Sequence, residues 1–486
     1  MCENRHPVVR IAPVVRIAFA VGAALLASVP ALKAAETALD RYLAKPDPSY
    51  SWKLAARHKI EGATTFVIAL TSQTWRTPAE VDKPVWTHWL TVVRPDHARA
   101  GTAFLFIGGG SHRDEEPKKA SQRVVDLALG TNSVVAEVSN VPNQPLAFMD
   151  SKHHGRSEDD LVAYSRVKFM ITGDEEWLVR LAMVKSGVRA MDCLQEFLAS
   201  ADGGGLKVGK FVVAGGSKRG WTTWLIGATD PRVVAIIPLV IDALNSEAIT
   251  RHHFEAYGFF SAALKDYVHH GLFPYRVGTP EYEKVLAIED PYNYRDRPRL
   301  AIPKYLINAA GDQFFLPDNS QFYYGELAPE KHLRYVPNAR HNLKESDALA
   351  SLQAFYQSVL DGHPRPRYSW KKQADGSLVV TPEDRPREVN LWQATDRFAR
   401  DFRLDVIGRA WHSSRLEPDS HGVYRARAAQ PDTGFTAFFV ELVYDSGGKY
   451  PIKFTTGVSV VPDVLPYKWS NSPPTRQDYW ELPLVY

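Results

Sequence analysis

Thiols are nearly absent from this chain. Its 486 residues hold two cysteines, Cys2 and Cys193, and five methionines. Cys2 lies in a segment that reads as a removable leader, so one thiol is left and no intrachain disulfide is possible. A disulfide-stapled scaffold is excluded. Cys193 sits in the helical pattern VRAMDCLQEFL, the setting of a small buried hydrophobe rather than a nucleophile. Excess charge is missing too. The formal net charge is +3, and without residues 1–35 the chain carries 54 basic and 54 acidic groups. Nothing in that balance favours nucleic acid or an anionic membrane as partner. Metal-ligand spacing is also lacking. The pairs His153/His154, His252/His253 and His269/His270 are not so spaced, and no HExxH occurs. GLKVGKF (205–211) has neither the spacing nor the Ser/Thr of a phosphate loop, and there is no GxGxxG. Neither a metal nor a cofactor is therefore expected.

Long apolar runs are confined to the N-terminus. Arg5, Arg10 and Arg16 precede the run Ile17–Leu32, and small residues follow at Ala34 and Ala35. A basic start, a short apolar stretch and a small-residue exit are the parts of a secretory signal peptide. Pro30 interrupts the run, which is short for a spanning helix. The expectation is a signal over 1–35, a periplasmic or secreted protein, and no integral membrane segment after cleavage.

What the chain has in plenty is apolar and aromatic material: 45% hydrophobic residues, with 12 Trp and 21 Tyr. That suffices for a large core and points to a β-rich portion or an aromatic-lined cleft. The segments 64–75 and 85–95 alternate as half-buried strands do. The runs 102–110, 133–138, 210–216, 233–241, 304–310 and 333–337 are continuous and apolar, as strands buried on both faces are. Helical periodicity separates several of them, at 174–200, after Lys218 and at 344–360. Strands alternating with helices predict a parallel sheet covered on both faces, with an antiparallel edge at its start. That is the outline of an α/β-hydrolase fold, expected over 36–365. Residues 242–303, aromatic and helical in look, interrupt it and are expected to form a helical cap. From about 366 to 486 short strands recur between turn signals, predicting an all-β, immunoglobulin-like sandwich followed by a Pro-rich tail.

The chemistry centres on FVVAGGSKRGW (211–221). A buried strand ends at Gly215, Gly216 and Ser217, and a helix starts at once. A serine on such a sharp turn presents Oγ at the carboxyl edge of the sheet, in a strained backbone that small neighbours accommodate. The pattern is G-x-S-x-x-G, with Gly220 one residue late and Arg219 in the usual glycine position. The chain order Ser, acid, His then predicts the partners. Asp312 follows the strand 304–310, and His341 follows 333–337. Asp318, further along the same loop as Asp312, is the alternative acid. His341 would take the serine proton while the acid holds its tautomer. The oxyanion hole would pair the N–H of Lys218 with that of Gly109 or Gly110, in the glycine turn after the strand 102–107. Lys218 and Arg219 beside the nucleophile are either solvated charges or receptors for a substrate carboxylate, Arg219 being the candidate for substrate binding.

Several strings are more specific than these patterns. GGSKRGWTTW, the glycine turn, VPNQPLAF (141–148), EDDLVAY (158–164), LAMVKSGVRAMD (181–192), IEDPYNYRDR (288–297), GDQFFLPDNS and ARDFRLDVIGRAW make the chain resemble the PhoPQ-activated pathogenicity-related protein family over about residues 40–460. The resemblance implies an exported bacterial protein of α/β-hydrolase type with a C-terminal β domain, linked to virulence and resistance to antimicrobial peptides. More remotely the chain is similar to glucuronoyl esterases, where a basic residue directly follows the serine, as Lys218 does here. That implies an ester bearing a carboxylate, or a uronate ester, as substrate. The reading is a serine hydrolase acting on a small-molecule, saccharide or peptide substrate, with ester and amide both open. The rival is a binding protein on a hydrolase scaffold. The sequence leaves the oligomeric state open.

Overall fold

The computed structural model describes Met1, residues 36–153 and residues 155–469. The expected signal segment and most of the expected tail fall outside the described residues. Glu36 onward packs as one unit.

The sheet explains where the site must be. Three antiparallel strands open it: β1 (Ser51–Ile60), β2 (Ala63–Thr74) and β3 (Val85–Pro95). Six mutually parallel strands follow: β4 (Arg99–Ile107), β5 (Ser133–Val138), β6 (Val208–Gly216), β7 (Val233–Leu239), β8 (Lys304–Ala309) and β9 (Lys331–Val336). In space they run β1-β2-β3-β5-β4-β6-β7-β8-β9. This mixed sheet is the α/β arrangement that the alternating runs predict. β1 has no matching expectation, because SWKLAARHKI is half exposed along its length and lacks an apolar run.

Both faces are covered. Along β4 and β6 successive side chains enter opposite cores: Leu105, Ile107, Phe211 and Val213 in one, Phe104, Phe106, Val212 and Ala214 in the other. This is why their strands read as unbroken apolar runs. The helices are α1 (Ala38–Ala44), α2 (Gln122–Thr131), α3 (Glu158–Thr172), α4 (Val179–Ala199), α5 (Lys218–Thr229), α6 (Ser246–Tyr257), α7 (Lys265–His269), α8 (Pro280–Glu289) and α9 (Ala348–Leu360). Trp224 on α5 and Leu194 and Phe197 on α4 fill the first core; Phe355 and Tyr356 on α9 fill the second. The segment 242–303 does hold helices, α6 to α8.

The C-terminal part is β structure. It comprises β10 (Tyr368–Lys372), β11 (Leu378–Pro382), β12 (Glu388–Asp396), β13 (His412–Arg415), β14 (Tyr424–Ala426), β15 (Phe435–Tyr444), β16 (Ile452–Thr455) and β17 (Ser459–Val461). One sheet orders β10-β11-β14, the other β13-β12-β15-β16, with β17 also on β15. Leu378, Val380 and Ala426 of the first share a core with Val389, Val440 and Leu442 of the second. Between β12 and β13 the stretch RLDVIGRAW holds a single helical turn, Leu404–Ile407. Gly311 accounts for its position, since the Leu404 N–H donates to the Gly311 carbonyl at 3.0 Å. This β layer is stitched to the large sheet. The Tyr305 hydroxyl on β8 donates to the Lys453 carbonyl, and the Tyr335 N–H on β9 donates to Thr455 Oγ1 at 3.0 Å.

Candidate active site

Ser217 sits between β6 and α5 with φ 56° and ψ −126°. A non-glycine residue held there costs on the order of 1–3 kcal/mol, a strain that clusters at functional turns. The surrounding glycines show what the turn requires. A Cβ on Gly215 would stand 2.6 Å from the Arg219 carbonyl oxygen. One on Gly220 would stand 2.9 and 3.0 Å from the carbonyl oxygens of Gly215 and Leu239. The late glycine of G-x-S-x-x-G thus lets α5 lie directly against β6 and β7. Gly216 is different: its nearest contact would be Val240 Cγ2, at 3.9 Å.

Asp312 and His341 are brought together. The buried Asp312 carboxylate accepts from Nδ1 of His341 at 2.8 Å to Oδ2 and 3.0 Å to Oδ1. It also accepts from the Phe314 N–H at 2.7 Å, which fixes its orientation. The imidazole lies against Phe314 and Phe315, with ring centroids 4.4 and 5.9 Å away. Those two phenylalanines line the same cavity as Ser217. Nε2 of His341 is buried and has no hydrogen-bond partner, so no bond to the Ser217 hydroxyl is made in this structure. Catalytic hydrogen bonds often close only when substrate is bound.

Asp318, the alternative acid, is committed elsewhere. It pairs with Arg400 at 2.7 Å and with Nε2 of His252 at 3.0 Å, all three side chains being almost wholly buried. Burial would raise its pKa, but the charges of Arg400 and His252 hold it well below the carboxylate range.

Arg219, the candidate for substrate binding, has its guanidinium engaged within the protein. Nε donates to the Val141 carbonyl at 2.6 Å, and Nη1 and Nη2 donate to the two Glu158 oxygens at 2.7 and 2.6 Å. Bidentate pairing of this kind fixes geometry as well as charge. Arg219 therefore ties the start of α5 to the start of α3 and to the loop after β5. Lys218 Nζ joins the cluster, 2.8 Å from Glu158 and 3.2 Å from Asp159. Partial burial opposes its ionisation, yet Arg219 and Lys218 hold the half-exposed Glu158 well below the usual carboxylate range. Glu158, Asp159 and Asp160 form the first turn of α3, and the first two face these cations. Acids there also suit the helix dipole, the one signal that was available.

The glycine turn follows β4 as expected. Gly108 spends its N–H on the Val138 carbonyl at 2.8 Å, leaving Gly109 and Gly110 as the candidate donors. Gly110 has φ 130°, and the Gly109 Cα faces Arg219, whose Nη2 would be 2.9 Å from an added Cβ. At the other side of the nucleophile, the N–H groups of Lys218 and its neighbours open α5 and have no intrahelical acceptor.

The cavity that Ser217 lines holds about 70 Å³ and is bounded by Trp221, Ile241, Phe273, Tyr282, Phe314 and Phe315, among others. Much of its wall comes from α6, α7 and α8 or their connections. Two arginines missed by the sequence reading, Arg166 and Arg180, also line it. They are nearly unexposed. Their helical spacing gave no sign that α3 and α4 turn them inward.

The family profile of the PhoPQ-activated pathogenicity-related protein matches residues 39–403. The chain belongs to that family. A curated relative, autocrine proliferation repressor protein A of Dictyostelium discoideum, is 38% identical over 460 residues, covering 89% of this chain and 92% of the relative. Among solved structures, acetyl xylan esterase 1 from Thermoanaerobacterium sp. JW/SL YS485 is similar at 12% identity and a TM-score of 0.45, covering 66% of this chain and 92% of the other. A glucuronoyl esterase from Solibacter usitatus is similar at 15% identity and a TM-score of 0.38, covering 66% and 91%. Among the described residues no helix is long and apolar enough to cross a membrane, and no group of three or more His, Cys, Asp or Glu side chains is placed to hold a metal ion.

Proposed function

We propose that this family member is an exported serine hydrolase, with Ser217 as nucleophile, His341 as general base and Asp312 as the acid that orients it. The observation carrying the reading is the Asp312–His341 pair. A carboxylate holding Nδ1 leaves the Nε2 lone pair as the free acceptor, and that atom is buried beside the aromatic wall of the serine's own cavity.

In the step this implies, His341 Nε2 takes the Ser217 proton as Oγ bonds to the substrate carbonyl carbon. The carbonyl π pair moves onto oxygen, where N–H groups of Lys218 and of Gly109 or Gly110 would hold it. Collapse expels the alcohol or amine, which leaves with the proton from His341. Water then attacks the acyl-enzyme, giving one proton to His341. That proton returns to Oγ as the free acid departs. We read α6 to α8 as a cap, since their residues supply much of the cavity wall. We read the C-terminal layer as an immunoglobulin-like sandwich, since its two sheets share one core.

A fluorophosphonate probe tests the core of this. Labelling of wild type that is lost in Ser217→Ala and greatly slowed in His341→Ala is the expected result. A folded wild type that takes no label sinks it. That outcome would favour the second reading, a binding protein on a hydrolase scaffold. A panel of neutral, uronate and peptide substrates would then separate ester from amide.

A further inference from the structure

A charge census around the nucleophile does not balance. Four cations lie beneath and beside Ser217: Arg166, Arg180, Lys218 and Arg219. Arg166 Nε is matched by Glu289 at 2.7 Å. Lys218 and Arg219 share Glu158 and Asp159. Arg180 has no carboxylate partner among the described residues. Its Nη1 donates to the Lys218 carbonyl at 2.8 Å, so the guanidinium lies directly under the residue after the nucleophile. Its Nε finds no acceptor at all. Only 1% of the residue is exposed, and it lines the Ser217 cavity.

A buried, unpaired guanidinium is costly unless something completes it. Trp221 gives partial relief, with its ring centroid 4.9 Å from Cζ. That contact is a fraction of what a carboxylate would supply. Burial still holds the Arg180 pKa below its ordinary value, although Glu289 and Asp159 act on it from a distance. Around it the wall is mostly apolar, through Ile241, Phe273 and Phe314, with Asp159, Arg166 and His253 also reaching it.

We propose that Arg180 is the anchor for a carboxylate on the substrate, so that the favoured substrates are esters or amides carrying a free carboxylate a few bonds from the scissile carbonyl. This rests on the serine-hydrolase reading and adds the substrate class to it. The site differs from the sequence-based expectation, which placed carboxylate recognition on Lys218 or Arg219.

The test compares two esters of similar size, 4-nitrophenyl hemisuccinate and 4-nitrophenyl pentanoate, on the full mature chain. Wild type is expected to favour the anionic ester by tenfold or more in kcat/KM. Arg180→Met is expected to collapse that ratio, and Arg180→Lys to restore part of it. Because the readout is a ratio within each variant, a general loss of activity does not imitate it. Should Arg180→Met fail to fold, protection of wild type supplies the answer: succinate should slow fluorophosphonate labelling and succinamide should not. Labelling without anionic preference or succinate protection overturns the Arg180 proposal alone. A folded wild type that takes no label overturns the hydrolase reading and this proposal with it.

Discussion

Asp312 and His341 hold each other through Nδ1 at 2.8 Å across 29 residues of chain, each on the loop that follows its own parallel strand. The contact makes Asp312 a tautomer-setting group. Asp312→Asn should keep the shape of the pair, but the amide can donate to Nδ1 and place the hydrogen on Nε2. Fluorophosphonate labelling and ester turnover should fall roughly 10³–10⁴-fold, as expected when the base presents the wrong nitrogen. The thermal midpoint should move little. Labelling within tenfold of wild type would remove Asp312 from the reaction.

The turn at Ser217 gives a contrast between glycines. Gly216→Ala meets nothing closer than 3.9 Å, so stability should stay within about 0.5 kcal/mol of wild type. Gly220→Ala drives a methyl against two backbone carbonyl oxygens and Ile241, and should cost about 2–3 kcal/mol or prevent folding. Urea unfolding of the two variants checks this. Equal stabilities would mean that α5 can lift from the sheet.

Asp242 predicts a pH dependence unrelated to catalysis. It is fully buried, with the Tyr323 and Tyr335 hydroxyls each 2.5 Å from one of its oxygens. Burial pushes its pKa up to about 8 against the pull of those two phenols. The folded state therefore holds a proton there that the unfolded chain, titrating near 4, gives up. Stability from this group is full below about pH 4 and erodes as pH climbs toward 8. Asp242→Asn mimics the neutral acid, so its thermal midpoint should decline less between pH 5 and 8 than that of wild type. Parallel curves would mean that the carboxyl is ionised in the fold.

The strand runs were legible because strands buried on both faces need unbroken apolar sequence. β3 and β5 fall on the expected residues, and the glycine–serine turn is at the end of β6. The order serine, acid, histidine was readable because each member follows a strand end. The electrostatics were not readable. Whether Arg219 faces solvent, substrate or Glu158 depends on α3 being folded beside α5, and the two are 61 residues apart in the chain. Arg180 was hidden for a similar reason: within α4 it stands among apolar neighbours, and nothing local marks a buried guanidinium. Likewise the sequence favoured Asp312, nearer the strand end, but left Asp318 open as the acid. Arg400, 82 residues beyond Asp318, separates them.

That separation yields the last prediction. Asp318 pairs with Arg400 and His252 where almost no solvent reaches. Asp318→Asn leaves the Arg400 guanidinium buried without its charge partner, an arrangement that costs about 3–5 kcal/mol when one member of a buried pair is removed. The loss should appear in urea unfolding, while the fraction that remains folded should still take the fluorophosphonate label. The double variant Asp318→Asn, Arg400→Met removes the orphaned charge and should recover part of the stability, since residues in contact couple. The carboxylate is depressed in the fold, so its contribution is present above the ordinary carboxylate range and is lost only as pH falls through its lowered folded value. The wild-type advantage over the single variant should therefore shrink toward strongly acidic pH. A stable Asp318→Asn protein with labelling abolished would instead make Asp318 the working acid and reduce Asp312 to a structural partner of His341.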